Sequence, residues 1–100
     1  MEFKINENSI VYGDETRELA RITFPQVAPG VVDIDHTFVG EELRGQGMAG
    51  QLMEQCVAQL RASGRKARTS CSYAAKWFEK HHEEGDLLDL DELLRSDILL

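Results

Sequence analysis

The sequence predicts a single α/β domain built on a mostly antiparallel central sheet. Short runs of alternating apolar residues occupy residues 1–39, a glycine-rich turn follows them, and helical periodicity begins directly after the turn. With 100 residues, the chain can form one modest core. We therefore predict the element order β-β-β-β-α-β-α for residues 1–88, followed by a tail at residues 89–100.

Four segments before the turn have the two-residue alternation of half-buried strands. Phe3 and Ile5 alternate, as do Ile10 and Tyr12 after a polar turn, and the third run covers residues 20–24. Short connections between these runs favour antiparallel pairing. The fourth run is predicted to have an apolar face with Val32, Ile34, His36 and Phe38, and a polar face with Asp33, Asp35 and Thr37.

Two helices and one further strand are predicted after the turn. Residues 48–60 place apolar side chains at three- to four-residue spacing, and Gly64 is a predicted C-terminal stop. Residues 66–72 are predicted to form the fifth strand, with Ser72 capping a second helix. The apolar face of the first helix consists of Met48, Ala49, Leu52, Met53, Cys56, Val57 and Leu60, and the second helix carries Ala74, Ala75, Trp77, Phe78 and His81.

The tail has leucines at helical spacing. Leu90, Leu93, Leu94 and Ile98 predict a short amphipathic helix, which needs packing because isolated helices of this length are marginally stable. We expect this helix to dock on the same chain or on a second copy.

Composition limits the classes of partner. The net charge is −7, and no basic tract is interleaved with aromatic residues, so nucleic-acid binding is disfavoured. No signal peptide or long apolar segment is recognised, which predicts a cytoplasmic protein that does not enter a membrane. The two cysteines and the adjacent His81 and His82 have no metal-ligand spacing, and a disulfide framework is not expected.

The glycine-rich turn has the composition of an anion site, because glycines permit close approach and a helix start presents free amides. Three nucleotide-binding motifs were compared with it. A P-loop requires lysine and a hydroxyl residue where Gln46 and Gly47 stand, so this motif is excluded. Gly45, Gly47 and Gly50 match a dinucleotide fingerprint, but Glu41–Arg44 separate them from the strand and the next strand has no acidic residue.

The third motif matches residue by residue. Arg44-Gly45-Gln46-Gly47-Met48-Ala49 resembles the Arg/Gln-x-x-Gly-x-Gly/Ala signature of the GNAT superfamily of N-acetyltransferases. The strand His36–Val39 and the segment Cys71–Tyr73 extend the resemblance to the small YjdJ-type branch of that superfamily. The resemblance implies that the amides of residues 44–49 hold the pyrophosphate of acetyl-CoA. It also implies that Phe38 and Val39 lie alongside the pantetheine arm.

The resemblance weakens where larger members carry Asn-x-x-Ala-x-x-x-Tyr, whose tyrosine protonates the CoA thiolate. Here Cys71 takes the asparagine position and Phe78 replaces the tyrosine. The candidate catalytic residues are therefore Cys71, Tyr73 and His36, with His81 as a more remote candidate. Cys71 is either a reactive thiolate at a helix start or an inert thiol, and Tyr73 is either a proton donor or a packing aromatic. His36 has the titration range of a base, although its strand position favours a core histidine.

The function implied by the resemblance is N-acetyl transfer from acetyl-CoA, as co-substrate, to an unidentified amine. That amine could belong to a small molecule or to a protein, and the oligomeric state is left open. A non-catalytic CoA-binding or interaction module is the alternative, because the usual tyrosine is absent. A nucleotide-binding domain is the third hypothesis.

Overall fold

In the computed structural model, the backbone is described for residues 1–95 and the side chains through Glu92. The described elements comprise strands β1 to β7, helices α1 to α3 and two short 3₁₀ helices. The strands are β1 Glu2–Ile5, β2 Ser9–Gly13, β3 Glu18–Thr23, β4 Gln26–Ala28, β5 Val31–Ile34, β6 His36–Val39 and β7 Lys66–Thr69. The α-helices are α1 Met48–Ser63, α2 Ser72–Lys80 and α3 Leu90–Arg95, and the 3₁₀ helices are Glu41–Leu43 and His82–Leu87.

The strands form two sheets. One is four-stranded and fully antiparallel, in the order β1-β2-β3-β6, and the other is three-stranded, in the order β4-β5-β7. Only the β5–β7 pair is parallel among the described strand pairs, as expected for strands joined through a helix. The predicted α/β class with mostly antiparallel strands is confirmed, although six strands rather than four precede α1.

The predicted fourth strand is two strands, because a bulge interrupts it at Asp35. Asp35 N donates to Thr23 O at 3.2 Å, and His36 is also aligned with Thr23. Asp35 and His36 therefore both lie opposite Thr23. The extra residue shifts by one position the alternation of side chains between the two faces of the strand. The prediction that His36 and Phe38 share the buried face of Val32 and Ile34 is wrong, since both side chains are exposed.

Helix α1 lies across the four-stranded sheet and provides much of the core. The predicted apolar face is confirmed for every member except Ala49, which is half-buried; the buried residues are Met48, Leu52, Met53, Cys56, Val57 and Leu60. Gly64 ends the helix with φ 69°, and Arg65 N donates to Leu60 O at 3.0 Å. This is the left-handed C-terminal cap that glycine favours, so the predicted stop is also confirmed.

Helix α2 begins where β7 ends and buries Ala74, Trp77 and Phe78 against α1 and the sheets. Its N-cap is Cys71 rather than the predicted Ser72, and no side chain caps the helix. The one-residue difference arises because Cys71 keeps extended backbone angles, with φ −74° and ψ 124°, so helical geometry starts at the next residue.

The segment after α2 returns to the three-stranded sheet. Asp89 N donates to Ala67 O at 2.8 Å, and Glu92 Oε1 accepts from Thr69 N at 2.7 Å. Residues 90–95 are helical, and Leu90 at the start of α3 is 67% exposed. Polar contacts therefore attach the described part of the tail, while Ile98 and the rest of the predicted tail helix lie outside the described residues.

Candidate functional site

The turn between β6 and α1 presents a row of free backbone amides. Within residues 1–95, the N–H groups of Gly45 and of residues 47–50 have no hydrogen-bond acceptor, and α1 has no side-chain N-cap. Gly45 and Gly47 adopt positive φ angles of 82° and 74°, which favour glycine. Apart from the glycine itself and its two flanking residues, no atom lies within 4 Å of the position that a Cβ would occupy on either glycine. The amides are therefore open to an anion at the positive end of α1.

Other residues of the motif support this turn. Gln46 Nε2 donates to Glu42 O at 3.0 Å, which folds the side chain back onto the preceding 3₁₀ helix. Met48 is buried and anchors the start of α1 in the core, whereas Ala49 is half-buried. The side chain of Arg44 is exposed and has neither a hydrogen bond nor an ion pair to any described residue, so its guanidinium is available to an anion.

A split opens between β6 and the start of α2. The parallel pairing of β5 with β7 continues as far as Cys71, whose N–H donates to Ile34 O at 2.9 Å. Beyond the bulge, β6 pairs with β3 alone, so its other edge has no strand partner among the described residues. Cys71 Sγ lies 3.6 Å from Thr37 Oγ1 across the base of the split.

A cavity of about 240 Å³ connects this split with the turn. It is lined by Val39 and Leu43, residues 44–45 and 47–50, and Tyr73. The Tyr73 hydroxyl lies 3.8 Å from the position that a Cβ on Gly50 would take, so the ring spans from α2 to the start of α1. The structure thus brings together the predicted turn, Val39 and Tyr73.

Two predicted site residues do not face this cavity. Phe38 is 45% exposed, and strand alternation directs its side chain away from Val39, which packs against the core. His36 is exposed on that same outer face, opposite to Thr37. The structure therefore does not bring His36 to Cys71, because the bulge turns it outward.

The protonation of the candidate Tyr73 and of the core thiol Cys56 follows from burial. Burial, together with the nearby Cys71, raises the pKa of Tyr73, so its phenol is protonated at neutral pH and can donate a proton. Burial raises the pKa of Cys56 to about 12, which makes that thiol a core residue without thiolate character. Cys71 does not line the cavity and lies at the base of the split, where it is half-buried, whereas Cys56 is buried.

Sequence reasoning missed the residues that enlarge the site. A second groove of about 490 Å³ runs between α1 and α2 and shares Gly47, Gly50 and Tyr73 with the first cavity. Its α2 side carries Lys76 and Lys80. The four-residue spacing of these lysines is visible in the sequence and could have indicated a shared helix face.

The described residues lack the features of two other kinds of site. They contain no group of three or more His, Cys, Asp or Glu side chains arranged to hold a metal ion. No helix between residues 1 and 95 is both long and apolar enough to cross a membrane.

Comparison with known proteins identifies the family. Residues 3–87 match the model of the GCN5-related N-acetyl-transferase family. The chain belongs to this family. The match spans the turn, α1 and the split, and it confirms the superfamily resemblance, whereas assignment to the YjdJ-type branch stays a prediction.

Solved structures agree with the GCN5-related family. A GCN5-like N-acetyltransferase candidate from Staphylococcus aureus has 37% identity and a TM-score of 0.73, over 88% of this chain and 87% of that one. An IAA acetyltransferase from Bacillus cereus has 18% identity and a TM-score of 0.52, over 61% of this chain and 41% of that one. A candidate GNAT acetyltransferase from Desulfovibrio desulfuricans has 11% identity and a TM-score of 0.58, over 73% and 52%. The Bacillus cereus and Desulfovibrio desulfuricans structures show similarity of fold alone. No curated protein matches the chain.

Proposed function

We propose that this chain is an N-acetyltransferase that moves an acetyl group from acetyl-CoA to an amine. One observation carries the proposal: free amides at the start of α1 open into a cavity that continues to Tyr73 and the split in the sheet. In a GCN5-related protein, this arrangement supports acetyl-CoA as the donor. The acceptor would be a small-molecule or protein amine, and the location would be cytoplasmic.

The turn supplies the groups that a pyrophosphate requires. The amides of Gly45 and residues 47–50 would donate to its oxygens, and Arg44 would add a charge-assisted contact from the rim. Without an anion these amides have no acceptor in the described chain, and bound phosphate would satisfy them. Gln46 and Met48 would hold the turn in shape rather than contact the ligand through their side chains.

The pantetheine arm would lie along the free edge of β6. The backbone of Phe38 and Val39 would line its path, and the Val39 side chain would contribute an apolar wall. The thioester at the end of the arm would then reach the split, where Tyr73 lines the cavity and Cys71 lies at the base beside Thr37. Positioning of the thioester against the amine would provide much of the rate acceleration.

Acetyl transfer requires a proton for the leaving sulfur. A neutral amine nitrogen would attack the thioester carbonyl, form the new C–N bond and break the C–S bond. Backbone N–H groups would stabilise the oxyanion formed in between. The phenol of Tyr73 would protonate the departing CoA thiolate, and the amine would lose its proton to water. A raised pKa keeps this phenol in the donating form.

Cys71 offers a second route through a covalent step. Its thiolate would attack the thioester carbonyl and release the CoA thiolate, and the acetyl-cysteine would then transfer the acetyl group to the amine. The position of Cys71 supports this route, because its sulfur lies at the base of the split and is only half-buried, whereas Cys56 is buried in the core. Loss of activity in Cys71→Ser with retention in Tyr73→Phe would select it over direct attack.

Ligand-dependent melting and thiol release test the proposal. CoA and acetyl-CoA should raise the melting temperature more than NAD or ATP, because only a ligand selective for the native state stabilises it. Amines should then accelerate the release of free CoA thiol from acetyl-CoA. Binding of NAD or ATP in preference to CoA would contradict the proposal and favour a nucleotide-binding domain.

A non-catalytic CoA-binding module is the second candidate. It is favoured by Phe78, which stands where larger family members carry tyrosine and is fully buried in the core. That position therefore has no proton donor. A chain that binds acetyl-CoA tightly but shows no amine-dependent release of CoA across a panel of amines would support this candidate.

A further inference from the structure

Cations without partners are concentrated beside the candidate site. In the part of the chain whose side chains are described, the side chains of Lys4, Arg44, Lys76 and Lys80 have neither a hydrogen bond nor an ion pair. The other described arginines and Lys66 are held by carboxylates, a hydroxyl or backbone oxygens. Only Lys4 of the four lies away from the two connected cavities. A chain with net charge −7 thus leaves three cations uncompensated at one place.

The groove between α1 and α2 places two of these cations on one wall. Lys76 and Lys80 are one helical turn apart, both exposed, and both line the groove. The groove begins at Gly47 and Gly50, where the amides of the turn are open, and extends along α2 to His81. A molecule bound at the turn can therefore continue into the groove without leaving the surface.

The far end of the groove has a flat aromatic wall. The rings of Trp77 and His81 stack with centroids 3.9 Å apart and an interplanar angle of 12°. His81 Nδ1 lies 2.8 Å from Trp77 O, which holds the imidazole in this orientation. Trp77 is the only tryptophan in the chain and lines the groove, so its fluorescence reports directly on occupancy there.

We propose that Lys76 and Lys80 bind the 3′-phosphate of CoA in this groove, so that the chain selects CoA over dephospho-CoA. This inference rests on the proposed function, because the pyrophosphate must first occupy the turn. A phosphate monoester carries close to two negative charges at neutral pH and matches two ammonium groups on one helix face. The nucleoside would then lie along α2, toward the ring pair.

One charged group opposes this arrangement from the other wall. Glu54 projects from α1, is exposed, and lines the same groove. Its carboxylate repels a phosphate, which therefore lies on the α2 side of the groove. Removal of this charge should strengthen CoA binding more than dephospho-CoA binding, opposite in sign to removal of the lysines.

Calorimetric titration with CoA and with dephospho-CoA tests the inference. At low ionic strength the parent chain should prefer CoA by about tenfold, as expected for two exposed ion pairs, and added salt should reduce that preference. In Lys76→Gln/Lys80→Gln the preference should fall to about twofold or less, and in Glu54→Gln it should rise. Lys4→Gln, which removes an unpaired lysine outside the groove, is the matched control and should keep the parental preference.

Three results would overturn the inference. Equal affinity of the parent chain for CoA and dephospho-CoA would do so while leaving the proposed function intact. A full CoA preference in the double variant, with an unchanged Trp77 fluorescence response, would place the 3′-phosphate elsewhere. Failure of the folded parent chain to bind either molecule would overturn both this inference and the proposed function. Glutamine retains helix propensity, and a circular dichroism melt confirms that each variant is folded.

Discussion

Replacement of Gly47 by valine should weaken CoA binding through a local effect, which a matched control variant can separate from a loss of stability. Gly47 and Gly30 have nearly the same left-handed backbone, with φ 74° and 69°, and neither has an atom within 4 Å of its would-be Cβ. Gly30 lies in the turn between β4 and β5 and lines neither connected cavity. A valine at either position should therefore cause similar backbone strain, but only the one at position 47 would occupy the phosphate site.

The expected magnitudes follow from this geometry. A left-handed conformation costs a non-glycine residue about 1–2 kcal/mol. At about 4–8 °C per kcal/mol for a domain of this size, both variants should melt roughly 5–15 °C below the parent chain. At position 47, the side chain should also displace phosphate from at least one amide. A hydrogen bond to a charged group contributes about 1.5–3 kcal/mol, so affinity for CoA should fall by about 10- to 150-fold.

The assay is a calorimetric titration of CoA into each variant, at a temperature where circular dichroism shows both to be folded. Gly30→Val should retain the affinity of the parent chain, and Gly47→Val should lose it. Equal affinities for CoA in the two variants would refute the assignment of the turn as the pyrophosphate site. A loss of affinity in both would show that strain, rather than obstruction of the amides, is responsible.

Three further predictions concern the thiols, an ion-pair cluster and the tail. A thiol reagent should label Cys71 before Cys56, because burial raises the pKa of the Cys56 thiol to about 12. Bound CoA should protect Cys71 from the reagent, and faster labelling of Cys56 would contradict this prediction. Arg61 holds the pKa of the Asp86 carboxyl below its ordinary 3.8. This ion pair therefore stabilises the native state above about pH 4, and the stabilisation is lost as the pH falls through the lowered pKa. The melting-temperature difference between the parent chain and Arg61→Gln should therefore shrink between about pH 5 and 2, whereas a constant difference would assign Arg61 a packing role. Amides of residues 89–95 should exchange slowly because α3 is attached to β7, and rapid exchange at all protein concentrations would exclude stable docking.

Features encoded by local periodicity could be predicted from the sequence. The buried face of α1 follows from helical spacing, and Gly64 marks its end because glycine favours the left-handed cap. The turn of residues 44–49 was recognised for a similar reason, since its glycines and the following helix are adjacent in the chain. Local signals were therefore sufficient for the fold class and for the turn whose amides are open, whereas its role as an anion site stays a prediction.

Features that depend on tertiary pairing were not accessible in this way. The bulge at Asp35 inserts one residue opposite Thr23, and no residue type in the run marks it, so His36 was assigned to the wrong face. The approach of Cys71 to Thr37 joins positions far apart in the sequence. The groove beside Lys76 likewise exists only because α2 packs against α1.

Backbone nuclear magnetic resonance during titration with acetyl-CoA tests the central claim most directly, because it observes the amides assigned to the pyrophosphate. The largest ¹⁵N–¹H shift changes are expected at Gly45 and residues 47–50, which gain acceptors when phosphate binds. Smaller changes should extend along β6 and to Cys71 and Tyr73, with little change at Gly30. Saturable binding of acetyl-CoA with unchanged resonances at residues 45–50 would contradict the account.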